Sequence, residues 1–146
     1  MESQKMIPRY VNHWISNKSQ FRKRFAEEHP KNYEELVKAV IQILATIGGD
    51  DALDHERIHK IDWGEYTGVQ LYIIANRHHW PTGFFYVCVE YGSDSVCDTL
   101  QRILDYGDHT EPPTKKQLSQ YESLALHIVQ ALKYSGDLCF VNGFKD

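Results

Sequence analysis

Long apolar runs are missing from this chain, and so are a cysteine framework, a basic surplus and the common catalytic motifs. No stretch approaches the ~20 apolar residues that a membrane helix requires. Met1–Tyr10 is polar and carries no apolar signal core, so a membrane partner is not expected. The only thiols are Cys88, Cys97 and Cys139. An odd number at wide spacing is no disulfide scaffold, and reduced thiols in a cytoplasm are the expectation. Lys and Arg number 16 against 20 Asp and Glu, a net charge of -4. Duplex nucleic acid, which is held by clustered cations, is therefore not an expected partner. The same -4 is too little charge to imitate a duplex backbone. One basic run, Lys18 to Arg24, reads as a solvated helix face, with a small anion or partner site as its alternative. There is no GxxxxGKS, GxSxG, GxGxxG or CxxC, and no cofactor is expected.

What is present is an ordinary globular composition. The chain has 146 residues, 42% hydrophobic and 25% charged, enough for one domain with its own core. Asn12–Glu28 reads as a short helix around Trp14, Phe21 and Phe25, stopped by His29-Pro30. Residues 1–30 are set apart as a helical segment of looser attachment. Asn32 and Glu35 form a capping-box pattern ahead of Leu36, Val37, Val40, Ile41, Leu44 and Ile47, and Gly48-Gly49 supplies a stop. That stripe marks a central core helix.

After an acidic connector, residues 50–56, the period turns from helical to alternating. Strands are expected from Ile58 to Trp63, from Val69 to Asn76 and from Phe84 to Tyr91. Asp94 or Ser95 would cap a helix running to Leu104. Thr114 and Gln117 open a long amphipathic helix, and Leu138–Val141 is a candidate edge strand. Strands with short connections pair antiparallel. The fold class is therefore α+β, an antiparallel three-strand meander with a candidate fourth edge strand, packed against several helices.

Three groups of residues invite a chemical reading. Asp54, His55, Glu56 and His59 bring imidazoles and carboxylates together, the donor types of a divalent-metal site. They lack a full HExxH, and in a strand His55 and His59 lie too far apart to share an ion unaided. The loop Arg77–Gly83 contains His78, His79, Trp80 and Pro81. Adjacent His side chains diverge in extended chain, so recognition with Trp80 suits this loop better than metal binding. Third, Tyr91-Gly92-Ser93-Asp94-Ser95 leads into Cys97 and Asp98, a strand, a turn and a helix start where backbone N–H donors and hydroxyls gather. Asp94 and Asp98 oppose a phosphate there and suit the helix dipole instead. The residues expected to make contacts are His78, His79, Trp80, Tyr91, Ser93, Ser95 and Asp98; no catalytic residue is assigned.

The same turn, and the helix later in the chain, carry a resemblance. Tyr91, Gly92, Ser93, Ser95, Cys97, Asp98, Thr99 and Leu100 follow the form YGSCSGCDTL. Leu124 to Gln130 with Lys133 follows LALHIVQ and a lysine three places on. In these two motifs the second half of the chain resembles a group of small uncharacterised bacteriophage proteins. Asp94 stands where their motif has its first cysteine, which removes a paired-thiol or cysteine-ligated metal role. The resemblance implies a phage or prophage product at work in host bacterial cytoplasm. The expected function is a non-enzymatic binding protein, a phage accessory or anti-defence factor. It would inhibit a host protein complex or sequester a small nucleotide ligand, and would itself form a homo-oligomer in one version. The alternative is a small metal-dependent hydrolase or nuclease using Asp54, His55 and His59.

Overall fold

Tyr10, Trp14, Phe21 and Phe25 recur at intervals of four and seven, which sets four rings on one stripe of a helix. In the computed structural model that helix, α1, spans Met6–Arg24, with Phe25 just past its end and its N–H donating to the Phe21 carbonyl at 3.3 Å. The structure describes residues 6–48, 52–64, 67–77, 83–92, 98–104 and 111–136. α1 starts six residues before the expected Asn12, because Tyr10 belongs to its buried stripe and Pro8 is tolerated in a first turn. All four rings are buried, and Trp14–Phe21 and Phe21–Phe25 meet edge to face at centroid distances of 5.9 and 5.1 Å. They sit in the same core as the rest of the domain, so this helix is an integral layer.

α2, Tyr33–Leu44, is the central helix. The Asn32 side chain accepts the Glu35 N–H at 2.9 Å, and Leu36, Val37, Val40, Ile41 and Leu44 are all buried. A 3₁₀ turn, Ala45–Ile47, tightens its end before Gly48 takes φ 76.

Strands β1 (Leu53–Gly64), β2 (Gly68–Asn76) and β3 (Gly83–Tyr91) form the meander, and β4 (Lys133–Gly136) is its fourth strand. The sheet is antiparallel throughout, in the order β1-β2-β3-β4. β1 begins at Leu53, inside what the sequence reads as a connector, and its register is irregular until Ile58. Gly64 opposes Gly68 at the β1–β2 turn. A Cβ on Gly68 would lie 2.0 Å from the Trp63 carbonyl oxygen, so only glycine fits this close approach. The candidate strand Leu138–Val141 lies outside the described residues; β4 precedes it, at Lys133–Gly136.

α3, Thr99–Leu104, is short, and the Asp98 side chain before it accepts the Gln101 N–H; the expected caps Asp94 and Ser95 lie outside the described residues. α4, Lys115–Ala131, carries the full capping box, with Thr114 Oγ1 accepting from Gln117 N and Gln117 Oε1 accepting from Thr114 N. Arg22 of α1 forks onto Glu122 of α4 at 2.6 and 3.2 Å. His29 Nδ1 pairs with the Tyr121 hydroxyl at 2.6 Å in the core. On the sheet, Ile58, Tyr72, Ile74, Phe85, Val87 and Val89 turn toward the helices. No helix among the described residues is long and apolar enough to cross a membrane.

Candidate functional site

β3 separates the two segments from which the sequence expects contacts. His78, His79 and Trp80 lie outside the described residues, as do Ser93, Ser95 and Cys97. Their described flanks are Arg77 and Gly83 at one end of β3, and Tyr91, Gly92 and Asp98 at the other. Nine extended residues run roughly 26 Å at ~3.3 Å per residue. The structure brings Tyr91 and Asp98 near each other, on one cleft.

At the Tyr91 end two carboxylates organise the surface. The Tyr91 hydroxyl donates to Asp62 Oδ1 at 2.6 Å, and Gln70 Nε2 donates to Asp62 Oδ2 at 3.0 Å. The Tyr72 hydroxyl in turn donates to Gln70 Oε1. These donors hold the Asp62 carboxyl below the usual carboxylate range, and the same bond raises the Tyr91 phenol. Asp98 is buried and accepts three bonds: Tyr33 Oη at 2.9 Å, Gly92 N at 2.9 Å and Gln101 N at 3.0 Å. Burial, ahead of the Asp98 contact, drives the Tyr33 phenol well above its ordinary range.

At the start of α3 the Asp98 carboxylate takes the Gln101 N–H and the Tyr33 hydroxyl takes the Leu100 N–H, which commits these two donors to the fold rather than to an external anion. Beside Asp98 lies a cleft of about 200 Å³, walled by Tyr33 and Tyr91 and edged by Lys31, Asn32, Gln70 and Gln101. Tyr33 is a site residue that sequence reading misses. It stands 65 positions from Asp98, and no local pattern links them.

The second candidate group is dispersed. Asp54 accepts the Glu56 N–H at 3.0 Å and Arg57 Nε at 2.8 Å, so its oxygens serve the irregular start of β1. His55 and His59 lie in β1, where four residues span roughly 13 Å. Among the described residues no group of three His, Cys, Asp or Glu side chains converges as a metal site.

The sheet face turned away from the described helices is a feature that the motif reading passes over. Three rungs cross it: His59–Ile73–Tyr86, Ile61–Leu71–Cys88 and Trp63–Val69–Glu90. Phe84 and Ala75 form the next rung beyond Ile73. Trp63 is 55% exposed, while Ile61, Leu71, Ile73, Phe84 and Tyr86 are half-buried. Arg57, His59 and Phe84 border a shallow hollow of about 320 Å³ on this surface. A signal for it exists in the sequence. Val69, Leu71 and Ile73 alternate with Tyr72 and Ile74, so β2 is apolar on both sides, whereas a half-solvated antiparallel strand shows polar residues on one.

No protein-family model, curated protein or solved structure matches the chain.

Proposed function

We propose that the protein acts by binding rather than by catalysis, as a bacteriophage accessory or anti-defence factor. In this reading it docks on a host protein complex through the outer face of its sheet. One observation carries the reading: an apolar, aromatic-edged face, with Trp63 at 55% exposure, that no described helix covers. Contiguous apolar patches beyond a few hundred Å² are uncommon on monomeric proteins and mark interaction sites. Trp and Tyr at the centre of such a patch are the side chains that most often dominate binding energy. The phage context rests on the resemblance of the YGSDSVCDTL and LALHIVQ segments.

A nucleotide-sequestering version is favoured by the Tyr33–Tyr91 cleft, whose rings and amides suit a planar base. Its 200 Å³ falls below the ~300–1,000 Å³ of most small-molecule pockets, so protein docking leads.

The test is affinity capture from host lysate with three baits: the wild type, Trp63→Ala, and Ile15→Ser as a control on an exposed residue of α1. The reading expects a defined partner retained by the wild type and by Ile15→Ser, and lost with Trp63→Ala. Equal retention by all three baits removes the sheet face as the contact surface. Native mass spectrometry separates the nucleotide version, which predicts a mass excess lost on denaturation.

A further inference from the structure

β4 covers only part of its neighbour. Its four residues pair with Gly83–Tyr86, so among the described residues the main chain of Val87–Tyr91 has a strand on the β2 side alone. A groove opens where β4 begins. Two hollows of about 140 and 210 Å³ share Val87, Cys88 and Ala131, and together they run from Lys133 to Glu90. One wall is the unpaired edge of β3, and the other is the side of α4 that carries Leu124, His127 and Ala131.

We propose that this groove takes an extended strand, supplied by the segment after β4 of a second copy of the chain, in a reciprocal exchange. An edge with unpaired N–H and C=O groups is complementary to extended main chain above all else. The adjoining apolar wall asks for alternate apolar side chains on whatever strand enters. Residues 137–146 follow β4 and include Leu138, Cys139, Phe140 and Val141, a run rich in strand-forming types.

Direction decides which copy supplies it. β4 runs antiparallel to β3 and leaves at Gly136 opposite Gly83, the end of β3 farthest from Val87–Tyr91. To reach its own groove the segment would have to double back past β4. A segment from a second copy meets no such obstacle. The other sheet edge is guarded by the irregular start of β1 and by Lys60, devices that discourage strand addition. Reciprocal exchange also closes the assembly at two copies, as a two-fold interface requires.

The experiment is light scattering on the size-exclusion eluate of the full chain and of a variant stopped after Gly136. It is paired with mild oxidation of the Cys97→Ser protein. The expected result is a dimer for the full chain and a monomer for the shortened one, which keeps the far-ultraviolet circular dichroism of the parent. Oxidation should give a covalent dimer through Cys88 and Cys139, absent when Cys139→Ser is added. Phe140→Asp in the full chain should also give monomer, which covers the case of a shortened chain that fails to fold. A monomeric full chain overturns the proposal. So does a dimer that survives both changes, which would place the contact elsewhere. A Cys88–Cys139 bond found only within single chains overturns it as well, by assigning the groove to the chain's own segment.

Discussion

The Tyr33 hydroxyl donates to the buried Asp98 carboxylate at 2.9 Å and accepts the Leu100 N–H at 3.1 Å, joining the start of α2 to the start of α3. Asp98 also holds Gly92 at the end of β3. One carboxylate therefore ties the end of β3 to the starts of α2 and α3. Asp98→Ala leaves three donors without their acceptor: the Tyr33 phenol, Gly92 N and Gln101 N. The expected loss is about 3 kcal/mol, since each stranded buried donor costs about 1 kcal/mol or more. In a chain of this size that lowers the melting temperature by roughly 10 °C. Asp98→Asn, which keeps an acceptor oxygen, should recover part of it. An unchanged melting temperature for Asp98→Ala would show that the clasp is not formed in solution.

Arg22 and Glu122 make the corresponding link between α1 and α4. The fork is bidentate, which favours a real coupling, but the Arg22 side chain is 40% exposed and solvent screens it. A double-mutant cycle with Arg22→Met and Glu122→Gln should give a small favourable coupling at low salt. Raising the salt should shrink it. Zero coupling at low salt would reduce the pair to a surface contact.

Acid should weaken the fold through named carboxylates. The Lys60 and Lys38 ammonium groups hold the Glu34 carboxyl below its ordinary value, and Tyr91 and Gln70 do the same for Asp62. A lowered folded value means that stabilisation is complete above the unfolded carboxylate range of about 4. It is then lost as pH falls through the lower folded values. Melting curves in steps below neutrality should decline in that window, and Glu34→Gln should flatten part of the decline. An unaltered acid limb in Glu34→Gln would show that the bridge from α2 to β1 carries no linkage.

The alkaline side belongs to the buried phenols Tyr33, Tyr72 and Tyr121, all raised by burial. Burial pushes the Tyr121 phenol up to about 12. A raised folded value contributes stability that is complete below the unfolded value of about 10, and that disappears as pH climbs from there to about 12. Tyr121→Phe removes this alkaline loss while giving up the His29 contact at neutrality, a cost of about 1 kcal/mol. Unfolding followed by fluorescence at rising pH should therefore show the variant less stable at pH 7 and less pH-sensitive above 10. Parallel curves would assign the alkaline loss to other groups.

Local pattern and tertiary contact explain which parts of the molecule were legible in the sequence. Asn32 with Glu35 and Thr114 with Gln117 are capping signals spanning three residues, and both helices start where these pairs predict. The strands Val69–Asn76 and Phe84–Tyr91 are dense in β-branched and aromatic residues, and the structure extends each by one glycine. The start of β1 was hidden because its acidic residues have low strand propensity; pairing of Leu53 with Asn76 overrides that preference. β4, whose sequence is KYSG, has no apolar pattern to reveal it and is held by its register on β3. The Tyr33–Asp98 clasp was illegible for the same reason: it exists only after distant segments meet. The outer face was legible in principle, as the two-sided apolarity of β2.

That two-sided apolarity separates two tryptophans of similar chemistry. Trp14 is 2% exposed and packs on Phe21, while Trp63 projects from the far face of the sheet at 55% exposure. Truncating Trp14 opens a cavity in the core, so Trp14→Ala should cost about 3–5 kcal/mol. Trp63→Ala removes a side chain that still meets water on more than half its surface, so the fold should lose about 1 kcal/mol or less. Binding to the proposed partner should respond in the opposite order, because an exposed indole on an apolar face gains by being covered. Urea denaturation of both variants beside the capture assay separates the two roles. Large destabilisation by Trp63→Ala would mean that the outer face is covered within the folded chain itself, and the sheet would then have no free surface to offer.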